Sequence, residues 1–409
     1  MKRISLQKDL LKWLSARLPL REFWHKHVSH YLAPRNFNFW YYFGSFSLLV
    51  LANQIITGIW LAMEYTPTAG EAFHSIQHIM RDVRYGWLLR FMHTTGASAF
   101  FVVIYLHMYR GLMYGSYRFP RELVWLIGMT IYVTLLLEAF TGYVLPWGQM
   151  SYWGAQVITS FATALPWIGD SLVVWLRGDY TISGVTLHRF FSLHVIAVPL
   201  VLLLLVGLHL VALHYVGSNN PDGIDIKKNK NTDGMTVDSV PFHPYYTVKD
   251  LMGVSVFLFV FCVVLFFAPD MNGLFIEADN YVPADVMQTP EHIAPVWYMT
   301  PYYAILRAIP NKLLGLMCMA ASIALMFVLP WLDRSPVRSI RYKGVLSKIA
   351  IGVFVVCFIG LGYLGIQPVS TVYTLLAQLF TVGYFAFFLL MPFYTRYEKT
   401  KTPPEHVTE

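Results

Sequence analysis

Residues 90–110 read RFMHTTGASAFFVVIYLHMYR and residues 194–209 read HVIAVPLVLLLLVGLH. Each apolar run carries two histidines: His93 and His107, fourteen residues apart, and His194 and His209, fifteen apart. At 3.6 residues per turn both steps come close to four turns, so each predicted helix sets two imidazoles near one face, about 21 to 22 Å apart along its axis. Ionisable side chains inside a membrane span are costly and functional by default. Four of them, matched in depth, decide both the fold and the chemistry.

The composition agrees with a membrane setting. Of 409 residues 56% are hydrophobic, 16% aromatic and 13% charged, with a mean hydropathy of +0.50, which excludes an ordinary soluble domain. The formal charge of +7 needs no nucleic acid, because Lys and Arg gather on the cytoplasmic side of membrane proteins. Cys262, Cys318 and Cys357 lie in hydrophobic runs without CxxC spacing and read as small core residues. Met1 to His30 is basic and amphipathic, with no signal-peptide core, and is expected to be a surface helix on the cytoplasmic side.

Segments long enough to cross the hydrocarbon fall at 38–64, 87–113, 123–145, 188–213, 248–268, 312–332, 346–364 and 370–394. The loops after the even-numbered spans are basic: Lys227, Lys228 and Lys230 follow the fourth, Arg334, Arg338, Arg341 and Lys343 the sixth, Arg396, Lys399 and Lys401 the eighth. With Arg118 and Arg121 after the second, both termini are expected in the cytoplasm. Two outer loops are long enough to be functional. Residues 146–187 hold four tryptophans and a short apolar stretch, Ala155 to Leu165, suited to an interfacial helix; Pro269 to Asn311 holds Asp270, Glu277, Asp279, Asp285 and Glu291.

A glycine pattern matches the histidines. Gly44 and Gly58 in the first span, and Gly128 and Gly142 in the third, are each fourteen residues apart. Those spans run opposite to the second and fourth, so Gly44 and Gly128 fall at the inner level with His107 and His209, and Gly58 and Gly142 at the outer level with His93 and His194. A glycine lets a flat ligand approach the backbone. The expected fold is therefore an all-α integral membrane protein with eight transmembrane helices, the first four forming a bundle around two hemes, each with two axial histidines. Zinc fits less well, since two imidazoles per level are too few ligands. Arg90 and Arg110, each three residues from a histidine, are placed to meet heme propionates. Six-coordinate hemes stacked across a membrane pass electrons.

These residues closely resemble the cytochrome b family of the respiratory cytochrome bc complex, ubiquinol:cytochrome c oxidoreductase, in its bacterial form. The likeness runs through RFMHTTGAS, HMYRGLMYGSYR, GYVLPWGQMSYWGAQVIT from Gly142, LHRFFSLH, KDL at 249–251, DNY at 279–281 and PWLD at 330–333, and covers the chain after its first thirty residues. The resemblance implies two non-covalent b-type hemes, of low potential at His93 and His194 and high potential at His107 and His209. It implies quinol oxidation at an outer site, quinone reduction at an inner site, and coupled proton translocation. It implies a Rieske iron-sulfur protein and a c-type cytochrome as partners, a homodimeric complex, and residence in the bacterial cytoplasmic membrane.

For the outer site the resemblance points to Tyr143 and to Pro295, Val296, Trp297 and Tyr298. The family's usual PEWY reads PVWY here, and valine cannot take a proton from quinol. A base within hydrogen-bond reach is needed, and either Glu138, one turn before Gly142, or Glu277, two residues before DNY, is expected to replace it. For the inner site it points to His214, Lys249 and Asp250, with Ser218 where the family often has asparagine. The chain is expected to divide into 1–219, the bundle with its N-terminal segment, and 220–409, which completes the quinol site. The split photosynthetic relatives share the fifteen-residue step but have seven helices in two proteins and an extra cysteine-linked heme. A proton-relaying transporter would instead place its histidines at the midplane.

Overall fold

The computed structural model describes residues 9, 12–19, 22, 24–232 and 236–408. Among them eight helices are long and apolar enough to cross a membrane. They are α1 (Tyr42–Glu64), α2 (Gly86–Tyr114), α3 (Glu122–Val144), α4 (Gly184–Val216), α5 (Tyr245–Phe267), α6 (Lys312–Leu332), α7 (Val345–Ile366) and α8 (Thr371–Leu389). Five of the expected spans agree to within three residues at each end; α1 starts four residues later than expected, after a 3-10 turn Phe39–Tyr41. α4 starts earlier, at Gly184, where Ser183 and Thr186 form a capping box. α8 stops at Leu389, because Pro392 opens a separate helix, Met391–Tyr397. The surface helix expected over residues 1–30 lies partly outside the described residues; within them His25–Ser29 form a π-turn, and Trp13, Leu18 and Trp24 are exposed.

The helices pack in pairs, α1 on α2 and α3 on α4, with α6 against α3 and α7 against α8. One apolar core joins the halves, running from Phe101, Met129 and Tyr132 to Tyr298, Ile305, Leu361 and Tyr384. The outward faces are apolar too: Leu200, Leu204 and Val211 of α4 and Phe259 and Phe267 of α5 are exposed. In water that would be a large unpartnered surface; in hydrocarbon it is matched to the solvent.

α4 is not a uniform α-helix. Leu193–Ala197 form a π-turn that includes His194. Pro199 follows, and it cannot donate an N–H to residue 195. A π-turn carries one extra residue. The fifteen residues to His209 therefore sweep about as far round the axis as fourteen α-helical ones, roughly 40° short of four turns. That is the step between His93 and His107 in α2. The longer spacing is thus absorbed at one turn and is not spread along the helix.

The outer loops fold over the helix ends. The first holds a helix Gln149–Ser160, a 3-10 turn Phe161–Ala164 and a helix Gly169–Arg177. The second holds 3-10 turns Met271–Gly273 and Ala278–Tyr281 and a helix Thr300–Ala308. On the opposite face β1 (Leu32–Pro34) pairs antiparallel with β2 (Ser239–Pro241), Leu32 opposite Pro241. The C-terminal segment closes this face. Asp222, fully buried, accepts hydrogen bonds from Asn36, Arg341, Tyr342 and Thr408, and Asp238 accepts from Asn229 and Val407. Burial alone would raise the Asp222 carboxyl, but the bonds from Thr408, Tyr342 and Arg341 outweigh it and hold the group below its ordinary value.

Candidate functional site

Each histidine lies over a glycine of the helix paired with its own. A Cβ built at Gly44 would stand 3.5 Å from His107 Cε1, at Gly58 3.2 Å from His93 Cε1, and at Gly128 3.2 Å from His209 Cε1; at Gly142 it would overlap the His194 ring. Each glycine leaves room for the imidazole of its paired helix. A histidine seated on its glycine from α1–α2 faces one from α3–α4.

At the outer level the two rings face each other with centroids 6.1 Å apart and planes at 87°. Two metal–nitrogen bonds of about 2 Å plus the two ring radii come to about that length. The ring tautomers follow from their neighbours. Thr57 Oγ1 lies 2.6 Å from the Asn53 carbonyl, to which it donates its single proton, so it must accept from His93 Nδ1 at 2.9 Å. His194 Nδ1 donates to the Glu138 carbonyl oxygen at 2.9 Å and faces Glu138 Oε1 at 3.1 Å. With both Nδ1 atoms engaged, both Nε2 atoms remain as ligands.

At the inner level His107, His209 and Arg110 are close enough to interact electrostatically. His107 Nδ1, His209 Nδ1, Arg110 Nε and the Tyr41 hydroxyl are buried without a hydrogen bond of regular geometry; the His209 ring has the Val124 backbone beside it, and the Arg110 guanidinium lies 4.8 Å over Tyr41. Buried orphan polar atoms demand a partner. Clustered at one depth, with glycines at the same depth, they fit a heme whose carboxylates meet a cation.

A cavity of about 430 Å³ runs from His93 and His194 past Arg90 to Tyr143, Val296 and Tyr298. Tyr143 donates to Glu277 Oε2 at 2.6 Å. Burial pushes Glu277 up to about 7, against the opposing pull of the Tyr143 bond. Its turn is pinned to the helix that starts at Gln149: Asn280 Oδ1 accepts from Ser151 N and Oγ, and Gln149 N donates to Val282 O. The PVWY segment is fixed just as firmly. Trp297 Nε1 donates to Ser98 Oγ at 3.1 Å, Tyr105 donates to the Tyr298 carbonyl at 2.5 Å, and Tyr298 stacks on Phe101 at 3.8 Å. Val296 is buried, and Pro295 is partly exposed.

On the opposite side Asp250 accepts from Ser45 at 3.1 Å. The His214 ring lies 4.9 Å from that of Tyr31, whose hydroxyl is 3.1 Å from Ser218 Oγ. Arg121 donates to the Gly217 and Ser218 carbonyls and so holds this turn. Lys249 is engaged on the exposed side, donating to Tyr245 at 2.8 Å. Sequence reasoning missed Ser45 and Tyr31. Ser45 follows Gly44 directly, which could have flagged it. Tyr31 is brought in by the β1–β2 pairing, which no local pattern announces.

Residues 28–217 match the family described as cytochrome b/b6/petB, and residues 283–385 match cytochrome b(C-terminal)/b6/petD. The cytochrome b of Allochromatium vinosum is 60% identical over 406 residues, covering 97% of this chain and 98% of that one. A Bradyrhizobium diazoefficiens protein named cytochrome b/c1 is 46% identical over 400 residues, covering 98% of this chain and 56% of its own length. Among solved structures, a chain of a hyperthermophilic respiratory Complex III superposes with a TM-score of 0.89 at 38% identity, covering 95% of this chain and 99% of that one.

Proposed function

The chain belongs to the cytochrome b family, and from that premise we propose that it is the cytochrome b of a quinol:cytochrome c oxidoreductase, with His93 and His194 holding one b-type heme and His107 and His209 a second. One observation carries the reading: at each level the imidazoles sit over glycines of α1 and α3, and at the outer level both Nδ1 atoms are tied back so that Nε2 faces inward. A b-type heme held by these histidines would supply one-electron transfer. Arg90 and Arg110 are the cations for its carboxylates.

At the outer cavity the chain supplies the proton path. Tyr143 has given its own proton to the bond with Glu277, so its oxygen can accept one from a quinol hydroxyl and pass on the other. Glu277, held near 7, is matched to take a proton at neutral pH, and we assign it the part that Val296 cannot play. Val296 and Tyr298 wall the cavity and keep water from the donor. At the inner site His214 and Asp250, with Ser45 and Ser218, suit the two carbonyl ends of a quinone. The two sites lie on opposite faces, so protons released at one and taken up at the other amount to translocation. The basic loops support a cytoplasmic side for the inner site and both termini, and the bacterial relatives support a bacterial cytoplasmic membrane.

A c-type cytochrome partner is supported by the b/c1 relative, and a Rieske protein and a dimeric complex by the likeness to Complex III. Residues 1–219 then form the heme bundle, and 220–409 complete the outer site through Glu277 and Val296. A reduced-minus-oxidised spectrum with redox titration tests the reading. Two b-type components of different potential are expected, and a protein with no heme bands would refute it.

A further inference from the structure

Glu138 lies inside α3, one turn before Gly142, at a depth where a carboxylate needs a partner. Its partner is His194, whose Nδ1 is bracketed by the Glu138 carbonyl at 2.9 Å and Oε1 at 3.1 Å. The other carboxylate oxygen, Oε2, is buried without a hydrogen bond, so the side chain is anchored through Oε1. The other three histidines have nothing of the kind. His93 meets a neutral hydroxyl, Thr57, at 2.9 Å, and His107 and His209 have no regular hydrogen bond at Nδ1. Among the described residues a carboxylate faces one ligand of four, and at the outer level only.

We infer that Glu138 is a positioning residue that acts through His194 to lower the midpoint potential of the outer heme. With the Nδ1–H donated to the Glu138 carbonyl, a carboxyl oxygen 3.1 Å from the same nitrogen polarises the N–H further and makes Nε2 a more basic ligand. A more basic ligand stabilises the oxidised iron. The backbone carbonyl of the same residue fixes the ring plane whatever side chain stands at 138. The side chain is therefore free to tune without being needed for seating. On this reading Glu138 serves the heme ligand, beside Glu277 as the proposed proton acceptor.

The inference rests on the two-heme reading, and the purified native complex tests that first: if its redox titration does not resolve two b-type components, the reading itself fails. With two components present, Glu138→Gln keeps size and the backbone bond but removes the carboxylate. At a fixed ambient potential the oxidised-to-reduced ratio of the outer heme is expected to fall about tenfold, an upward shift of about 59 mV for one electron. The inner component should stay in place, and the low-spin ferric resonance of the outer heme should move with the potential. Both potentials and both resonances unchanged in a fully loaded variant would overturn the assignment. Should Glu138→Gln lack the outer heme, Glu138→Asp, which withdraws the carboxylate by one methylene, is titrated in its place. An upward shift of the outer component supports the role, and none overturns it.

Discussion

Alanine at Gly142 and alanine at Gly44 should have opposite outcomes. A methyl at Gly142 would overlap His194 Cε1 and come within 2.8 Å of both ring nitrogens. The ring cannot swing aside without breaking its two contacts to Glu138. To regain ordinary carbon contact of about 3.5 Å it must withdraw by roughly an ångström, whereas metal–ligand distances tolerate about 0.2 Å. Overpacking of this kind costs about 1 to 3 kcal/mol, or about five- to a hundredfold in heme occupancy. At Gly44 the methyl would stand 3.5 Å from His107, ordinary contact, and the helix gains about 1 kcal/mol from alanine over glycine. Gly58 and Gly128, at 3.2 Å, should fall between. Heme content per chain, measured on each purified variant and resolved by redox titration, gives the ranking. Gly44→Ala should keep both components, and Gly142→Ala should lose the outer one while keeping the inner. The reasoning fails if Gly44→Ala loses heme as readily as Gly142→Ala, or if Gly142→Ala keeps both hemes at native potentials.

Because burial lifts Glu277 to about 7, quinol oxidation should fall as the pH drops through 7 and the acceptor fills. Glu277→Gln should lower kcat by about 10² to 10⁴ and erase that limb of the pH–rate profile; a native profile in the variant would sink the assignment. On the face of the β1–β2 pair, Asp222→Ala strands the donors of Asn36, Arg341, Tyr342 and Thr408 and should destabilise by about 3 kcal/mol, read as a lower Tm. Since the Asp222 carboxyl is held below its ordinary value, its contribution is present above about pH 4 and is lost as the pH falls further, so the two proteins should converge in acid.

The spans were legible because a run of twenty apolar residues admits one reading, and the charges between them ordered the loops. The levels of the four histidines were legible because the glycines of the two spans running the other way repeat nearly the same interval. What stayed hidden was contact between distant segments. Nothing near Glu277 indicates that Asn280 and Val282 will clip onto Ser151 and Gln149 and bring its carboxylate to Tyr143. Nothing near Tyr31 indicates that a strand pair with Ser239–Pro241 will carry it to His214. Glu138 and Glu277 could not be told apart as bases from sequence, since each is an acid near a diagnostic motif. Their contacts, a histidine ring for one and a tyrosine hydroxyl for the other, come from distant segments and no local pattern announces them. The π-turn left a trace in Pro199 and in the fifteen-residue interval, though neither alone dictates it.

That π-turn also marks where the length of α4 is negotiable. Removing one residue within 195–197 would return this turn to α-helical hydrogen bonding and leave His194 and His209 on one face. The same edit between residues 200 and 208 would carry His209 about 100° round the axis, away from His107 and toward lipid. Single-residue deletions that survive in this helix should therefore collect at its outer end, where the chain can shorten without disturbing the inner ligand.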